Sequence, residues 1–135
     1  GGGRRSDMEF TTSIPIYLQI MDEIKRHIAT GVLKPGDKLP SQRELAAQLK
    51  VNANTVQRAY REMEMLGLVE TLRGQGTFVR RSQAIVEETR RELLSRLVDD
   101  FVCAMRSLGF GRGEALELVH SGFERLEAGE GVEEK

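Results

Sequence analysis

Seven side chains between positions 43 and 73 share one chemistry: Arg43, Asn54, Thr55, Gln57, Arg58, Arg61 and Arg73. Asparagine and glutamine amides can pair bidentately with an adenine edge. Threonine can meet a base or a thymine methyl, and arginine can hold a guanine edge or a phosphate. Asn54, Thr55, Gln57, Arg58 and Arg61 fall where a helix would present them outward. Solvated helix faces are usually rich in Glu and Lys, yet here Glu62 and Glu64 come only at the far end. The pattern implies a surface that reads base edges and phosphates of a duplex.

Other chemistry finds little support. His27 and His120 are the only histidines and lie in different halves. His27 reads as a surface residue, and His120, with Glu117 and Glu124 at helical spacing, as part of a solvated face. Ser41 is explained as a helix cap, and no histidine is placed to activate it as a nucleophile. A nucleophilic triad, a phosphate-binding glycine loop and paired catalytic carboxylates are not evident. The expectation is therefore a non-enzyme with no cofactor and no metal site. Cys103 is the single cysteine, which excludes an internal disulfide and a cysteine-rich zinc site and fits a reducing cytoplasm. It is expected in a core or an interface.

The elements that must carry the seven side chains follow from local signals. Ser13-Ile14-Pro15 opens a first helix, with Pro tolerated in its first turn. Ile16, Ile20, Ile24 and Ile28 recur at steps of four, flanked by Tyr17 and Met21, and predict one buried face. Gly31 ends this helix, and Lys34-Pro35-Gly36-Asp37 is a turn. Ser41 and Glu44 form a capping box at the head of a second helix, whose apolar side is Leu45, Ala46 and Leu49. Lys50-Val51-Asn52 is a short turn. Asn52 caps a third helix, with Val56, Ala59, Tyr60, Met63 and Leu66 inward and Gly67 as its stop. Two helices joined by so short a turn match a helix-turn-helix. Leu68-Val69-Glu70-Thr71-Leu72 and Thr77-Phe78-Val79-Arg80, around Arg73-Gly74-Gln75-Gly76, predict a hairpin with Arg73 at its tip. Helix-turn-helix plus hairpin is a winged helix, and a tip arginine suits a narrow minor groove.

The chain has 135 residues, 39% of them hydrophobic, enough for one domain or a small domain with an appendage. Aromatic residues are only 5%, with no Trp, which argues against a stacking platform for single strands. No apolar run is long enough for a transmembrane helix, so no membrane partner is expected. Residues 1–12, beginning Gly1-Gly2-Gly3, read as a flexible leader. The net charge is −1, but residues 13–81 carry +4 and residues 82–135 carry −5. That asymmetry suggests two modules with different partners.

The run LPSQRELAAQLKVNANTVQRAYREMEMLGLVETLRGQGTFV (residues 39–79) resembles the DNA-binding domain of GntR-family bacterial transcription regulators, and residues 14–40 match the family's first helix and turn. The resemblance implies DNA contacts at Arg43, along positions 52–58 from Asn52 to Arg58, and at Arg73 and Gly74. Many members have Arg where this chain has Ala53, so that guanine contact is missing and the base preference is expected to differ. The Asn-x-Asn-Thr-Val-Gln-Arg-Ala-Tyr form is similar to the YtrA-like subfamily.

A long helix is predicted over residues 82–108, with Leu93, Leu97, Phe101 and Met105 in its apolar stripe. Residues 109–113 break it. A last helix over 115–128 carries Leu116, Val119 and Phe123, and residues 129–135 are expected to fray. Two such helices cannot enclose a core alone; the same pair from a second chain would cover them. The resemblance implies the reduced dimerisation module of the YtrA-like group.

The expected fold is thus mainly α with a small β-hairpin: a winged helix-turn-helix over 13–81 and a two-helix dimerisation module over 82–128. The expected function is a dimeric repressor-type regulator on an inverted-repeat operator in double-stranded DNA, with an unidentified small-molecule inducer as a possible further partner. The rival is a winged helix used for protein interaction without nucleic acid. Any inducer must change the spacing of two recognition helices, with residues 80–82 and 109–113 as hinges.

Overall fold

The computed structural model describes Met8 and residues 10–133, with side chains through residue 130. The elements run α1 (Ile16–Thr30), α2 (Gln42–Leu49), α3 (Ala53–Met65), β1 (Val69–Leu72), β2 (Gly76–Val79), α4 (Gln83–Ser107) and α5 (Arg112–Glu133). The mainly helical fold with one small hairpin is as the sequence predicts. Two compact units result, one ending at Leu93 and one beginning at Leu94.

In the first unit α1 and α2 both pack on α3, and β1 packs beside it. The core is built from Ile20, Met21, Ile24 and Ile28 of α1, Leu45 and Ala46 of α2, and Val56, Ala59, Tyr60 and Met63 of α3. Leu39, Leu68, Val69 and Val79 close it. Two predicted core positions turn outward: Ile16 in the first turn of α1 and Leu66 at the C-cap of α3 are exposed. Both sit at helix ends.

Helix ends follow the sequence signals. Gly31 closes α1 at φ +84°, a left-handed conformation that costs glycine nothing. At α2 the Glu44 amide donates to Ser41 Oγ at 3.1 Å, and the Ser41 amide donates to Glu44 Oε1 at 2.8 Å. The Ser41 main-chain amide, and after it the Ser41 hydroxyl, holds the Glu44 carboxyl below its usual range. Lys50 closes α2 at φ +58°, and Asn52 Oδ1 accepts the Asn54 amide at 2.7 Å to start α3.

The hairpin is antiparallel, with Val69 opposite Val79 and Leu72 opposite Gly76. A single bridge from the preceding loop, absent from the sequence reading, joins it. Lys38 bridges to Phe78, the Leu39 amide donates to Thr77 O, and the Val79 amide donates to Asp37 O. A lone bridge has no period-2 pattern to betray it.

Residues 1–7 and Glu9 of the expected leader lie outside the described residues. Its later part is not loose. Phe10 packs on the core, and the Gln19 side chain exchanges hydrogen bonds of 3.0 Å with the main chain of Thr11.

The predicted join at residue 82 is where α4 starts, capped by Ser82 Oγ accepting the Ile85 amide. The compact first unit nevertheless runs on to Leu93, because Ile85 and Val86 pack against its core and Thr89 is buried. The expected break over 109–113 is shorter. Gly109 turns the chain at φ +89°, and α5 begins at Arg112 after the Gly111 amide donates to Glu114 Oε1. At the other end α5 continues through residues 129–133, where fraying was expected; Glu134 and Lys135 lie outside the described residues.

Candidate nucleic-acid interface

Along α3 the side chains point by turns of about 100°. Val56, Ala59, Tyr60 and Met63 are buried on one side. Asn54, Gln57, Arg58 and Arg61, at i, i+3, i+4 and i+7, form the opposite stripe and are all exposed. Thr55, half-buried, stands at the edge. The packing that holds α3 therefore also aims it, since the buried stripe faces α1 and α2 and leaves the amides and guanidiniums to solvent. Ala53 is exposed at the helix start and offers no polar group.

Arg43 is exposed on the first turn of α2. Asn52, an expected contact by resemblance, has its side-chain oxygen engaged as the cap, which leaves its amide hydrogens to donate outward. Arg73 and Gly74 sit exposed at the hairpin tip, with Gly74 at φ +76° and Gly76 at φ +121°. A Cβ at Gly76 would stand 2.8 Å from Lys38 Cε. An open cleft links the two outer parts: it is lined by Ser41, Gln42 and Arg43 at the head of α2 and by Thr71, Arg73 and Gln75 of the wing.

Two tethers escaped the sequence reading. Glu64, near the end of α3, accepts from the Thr71 amide at 3.3 Å and from its hydroxyl at 3.4 Å. Thr71 and Thr77 hydroxyls pair across the hairpin at 3.1 Å, so with Glu64 the wing is tied to α3. Tyr17 of α1 meets Arg58: the guanidinium carbon lies 3.9 Å from the ring centroid, and Nη2 donates to the phenol oxygen at 3.2 Å. Partners 41 residues apart leave no local signal.

The remaining candidates fall as follows. His27 is half-buried and pairs with Glu23 at 3.2 Å, rather than standing free on the surface. His120 meets Glu124 at 3.5 Å on an open face. No cluster of metal-ligating residues occurs among the described residues. Cys103 is exposed, so it is not core. Among the described residues no helix is long and apolar enough to cross a membrane.

The model of the bacterial regulatory proteins of the gntR family matches residues 16–79, the span from α1 to the end of the wing. The chain is 51% identical over 113 residues to the uncharacterized HTH-type transcriptional regulator YhcF of Bacillus subtilis, covering 84% of this chain and 93% of that protein. It belongs to the GntR family. Among GntR relatives, the HTH-type transcriptional repressor YtrA of B. subtilis is 53% identical over 68 residues, half of this chain and 52% of its own. A solved GntR family transcriptional regulator from Listeria monocytogenes superposes with a TM-score of 0.78 at 37% identity, over 83% of this chain and 98% of that one. The polar stripe of α3 and the Arg73 wing thus sit in the helix-turn-helix DNA-binding domain of a GntR transcriptional regulator, and its relatives are regulators rather than enzymes.

Proposed function

We propose that this GntR protein is a homodimeric repressor of an inverted-repeat operator. The observation that carries the reading is the stripe of Asn54, Gln57, Arg58 and Arg61, diametrically opposite the buried face of α3. In this reading α3 lies in the major groove, with Asn54, Thr55 and Gln57 at base edges and Arg61 on the flank. Arg43 and Arg58 hold phosphates, the Asn52 amide joins them at the head of α3, and Arg73 with Gly74 enters the minor groove. Bases opposite Ala53 go unread by an arginine.

The dimer is supported by the second unit. Leu97, Phe101, Leu116, Val119 and Phe123 are exposed, and α4 and α5 do not pack side by side along their lengths. With Leu93 and Met105 half-buried beside them, these side chains form the dimerisation surface of a module over residues 82–128. A face this apolar stays in water at a cost, and a second copy removes it. The twofold axis would set two copies of α3 about 34–36 Å apart, one helical turn of DNA.

The test is selection of duplexes from a random pool, followed by titration across salt. The expected result is a twofold-symmetric site, two chains per duplex and a steep loss of affinity with salt. Flat, undetectable duplex binding overturns it and favours a winged helix that binds protein.

A further inference from the structure

Tyr17 and Arg58 come from α1 and α3 and meet on the surface of the first unit. Their hydrogen bonding is one-sided. A guanidinium has five N–H donors and no acceptor, so the bond to Tyr17 leaves four donors unspent. The phenol oxygen receives that bond, and Arg58 cannot accept the phenol's own hydrogen. That hydrogen is directed elsewhere. The pair therefore offers mostly donors, carries a positive charge, and has its guanidinium held over a half-buried ring. No ion pair of Arg58 occurs among the described residues. A phosphate oxygen only accepts. A guanine edge also offers acceptors only, but a phosphate adds a full negative charge to meet the guanidinium's positive one.

We propose that Tyr17 and Arg58 act as one phosphate clamp, in which the tyrosine hydroxyl is a second donor to the phosphate that Arg58 neutralises and its ring fixes the guanidinium. The proposal rests on the DNA-binding reading above and adds to it a residue of α1 outside the recognition helix. Fixing the guanidinium before DNA arrives spares part of the ordering that binding would otherwise demand of a long side chain. Tyr17 is in this sense both a contact and a positioning residue.

The experiment follows fluorescence anisotropy of a labelled random-sequence duplex of about 30 base pairs, titrated with the full chain between about 50 and 200 mM salt. Arg58→Ala is expected to weaken binding and to lower the slope of log affinity against log salt by about one. Tyr17→Phe keeps the ring and its packing but removes the hydroxyl. It is expected to weaken binding about 2- to 5-fold with an unchanged slope, because a neutral donor releases no counterion. In an Arg58→Ala background Tyr17→Phe is expected to cost clearly less than it does alone. Wild-type affinity in Tyr17→Phe, or independent effects of the two substitutions, overturns the clamp. So does an Arg58→Ala protein that keeps the full slope and changes only its preference among selected duplexes, since Arg58 would then read a base. Those outcomes leave a wild type with steep salt dependence. A wild type that binds no duplex brings down the DNA-binding reading and the clamp with it.

Discussion

The two units of this chain solve the problem of apolar surface in opposite ways. In the first, α1, α2 and α3 cross around a shared interior, and Ile20, Ile28, Val56, Met63, Val69 and Val79 are almost wholly buried. In the second, helices as long as α4 and α5 enclose nothing: Leu94, Val98, Leu108, Leu116, Phe123 and Leu126 are each more than half exposed. The difference lies in topology rather than composition. Three helices and a hairpin can surround a centre, whereas two helices diverging from a glycine turn can only offer a face. The first unit encloses its own core, and the second leaves its apolar faces open.

The largest expected effect tests the closed half. Met63→Ala should destabilise the first unit by about 2–5 kcal/mol, through lost burial and the cavity left behind. Denaturant unfolding followed at two protein concentrations checks it; this loss should not depend on concentration, and a concentration-dependent loss would blur the contrast between the units. Phe101→Glu tests the open half. A charge on that face should give a monomer by analytical ultracentrifugation and leave the denaturation of the first unit in place. Affinity for a two-half-site duplex should fall roughly 100-fold or more, because the second half-site is no longer bound by a tethered copy. An unchanged dimer would remove Phe101 from the interface.

Gln57→Ala sharpens the reading of the outward stripe. Discrimination at one base pair of each half-site should relax by about 1–3 kcal/mol, while Arg73→Ala weakens all duplexes alike. Competition titrations with single-base variants separate the two, and equal behaviour of the two mutants would break the assignment. The smallest effect concerns the cap. Ser41→Ala should cost about 1 kcal/mol of stability in thermal unfolding. Because the folded Glu44 carboxyl is held below its usual range, its contribution is present above that range. It is lost as pH falls through the lowered value in wild type and Ser41→Ala alike, because the main-chain amide of position 41, the larger cause, survives the substitution; the gap between the two should narrow only by the hydroxyl's smaller share.

Much of the first unit was legible because its signals are local. The Ser41–Glu44 box, the Asn52 cap, Gly31 and the four-residue spacing of Ile20, Ile24 and Ile28 each act within a turn or two of themselves, and the outward stripe of α3 follows from the inward one. What escaped is long-range or cooperative. Lys38 joins the hairpin through a single bridge, Phe10 docks on a core formed by later residues, and Tyr17 meets Arg58 across a chain separation that no window spans. Residues 129–133 stay helical despite Gly129 and Gly131, since a helix already under way adds turns more easily than it starts them.

The root of the wing lies outside the wing. Gly36, Asp37 and Leu39 hold β2 by main-chain bonds of 2.8 Å to Val79 and Thr77, while Arg73-Gly74-Gln75 projects beyond the last strand pair of Leu72 and Gly76. An overhang anchored in this manner can gain, lose or exchange residues at its far end without disturbing the ladder behind it or the seating of α3. In the docking proposed above, lineages carrying this scaffold would be free to retune what they feel in the narrow groove while the letters read in the wide one stay the same.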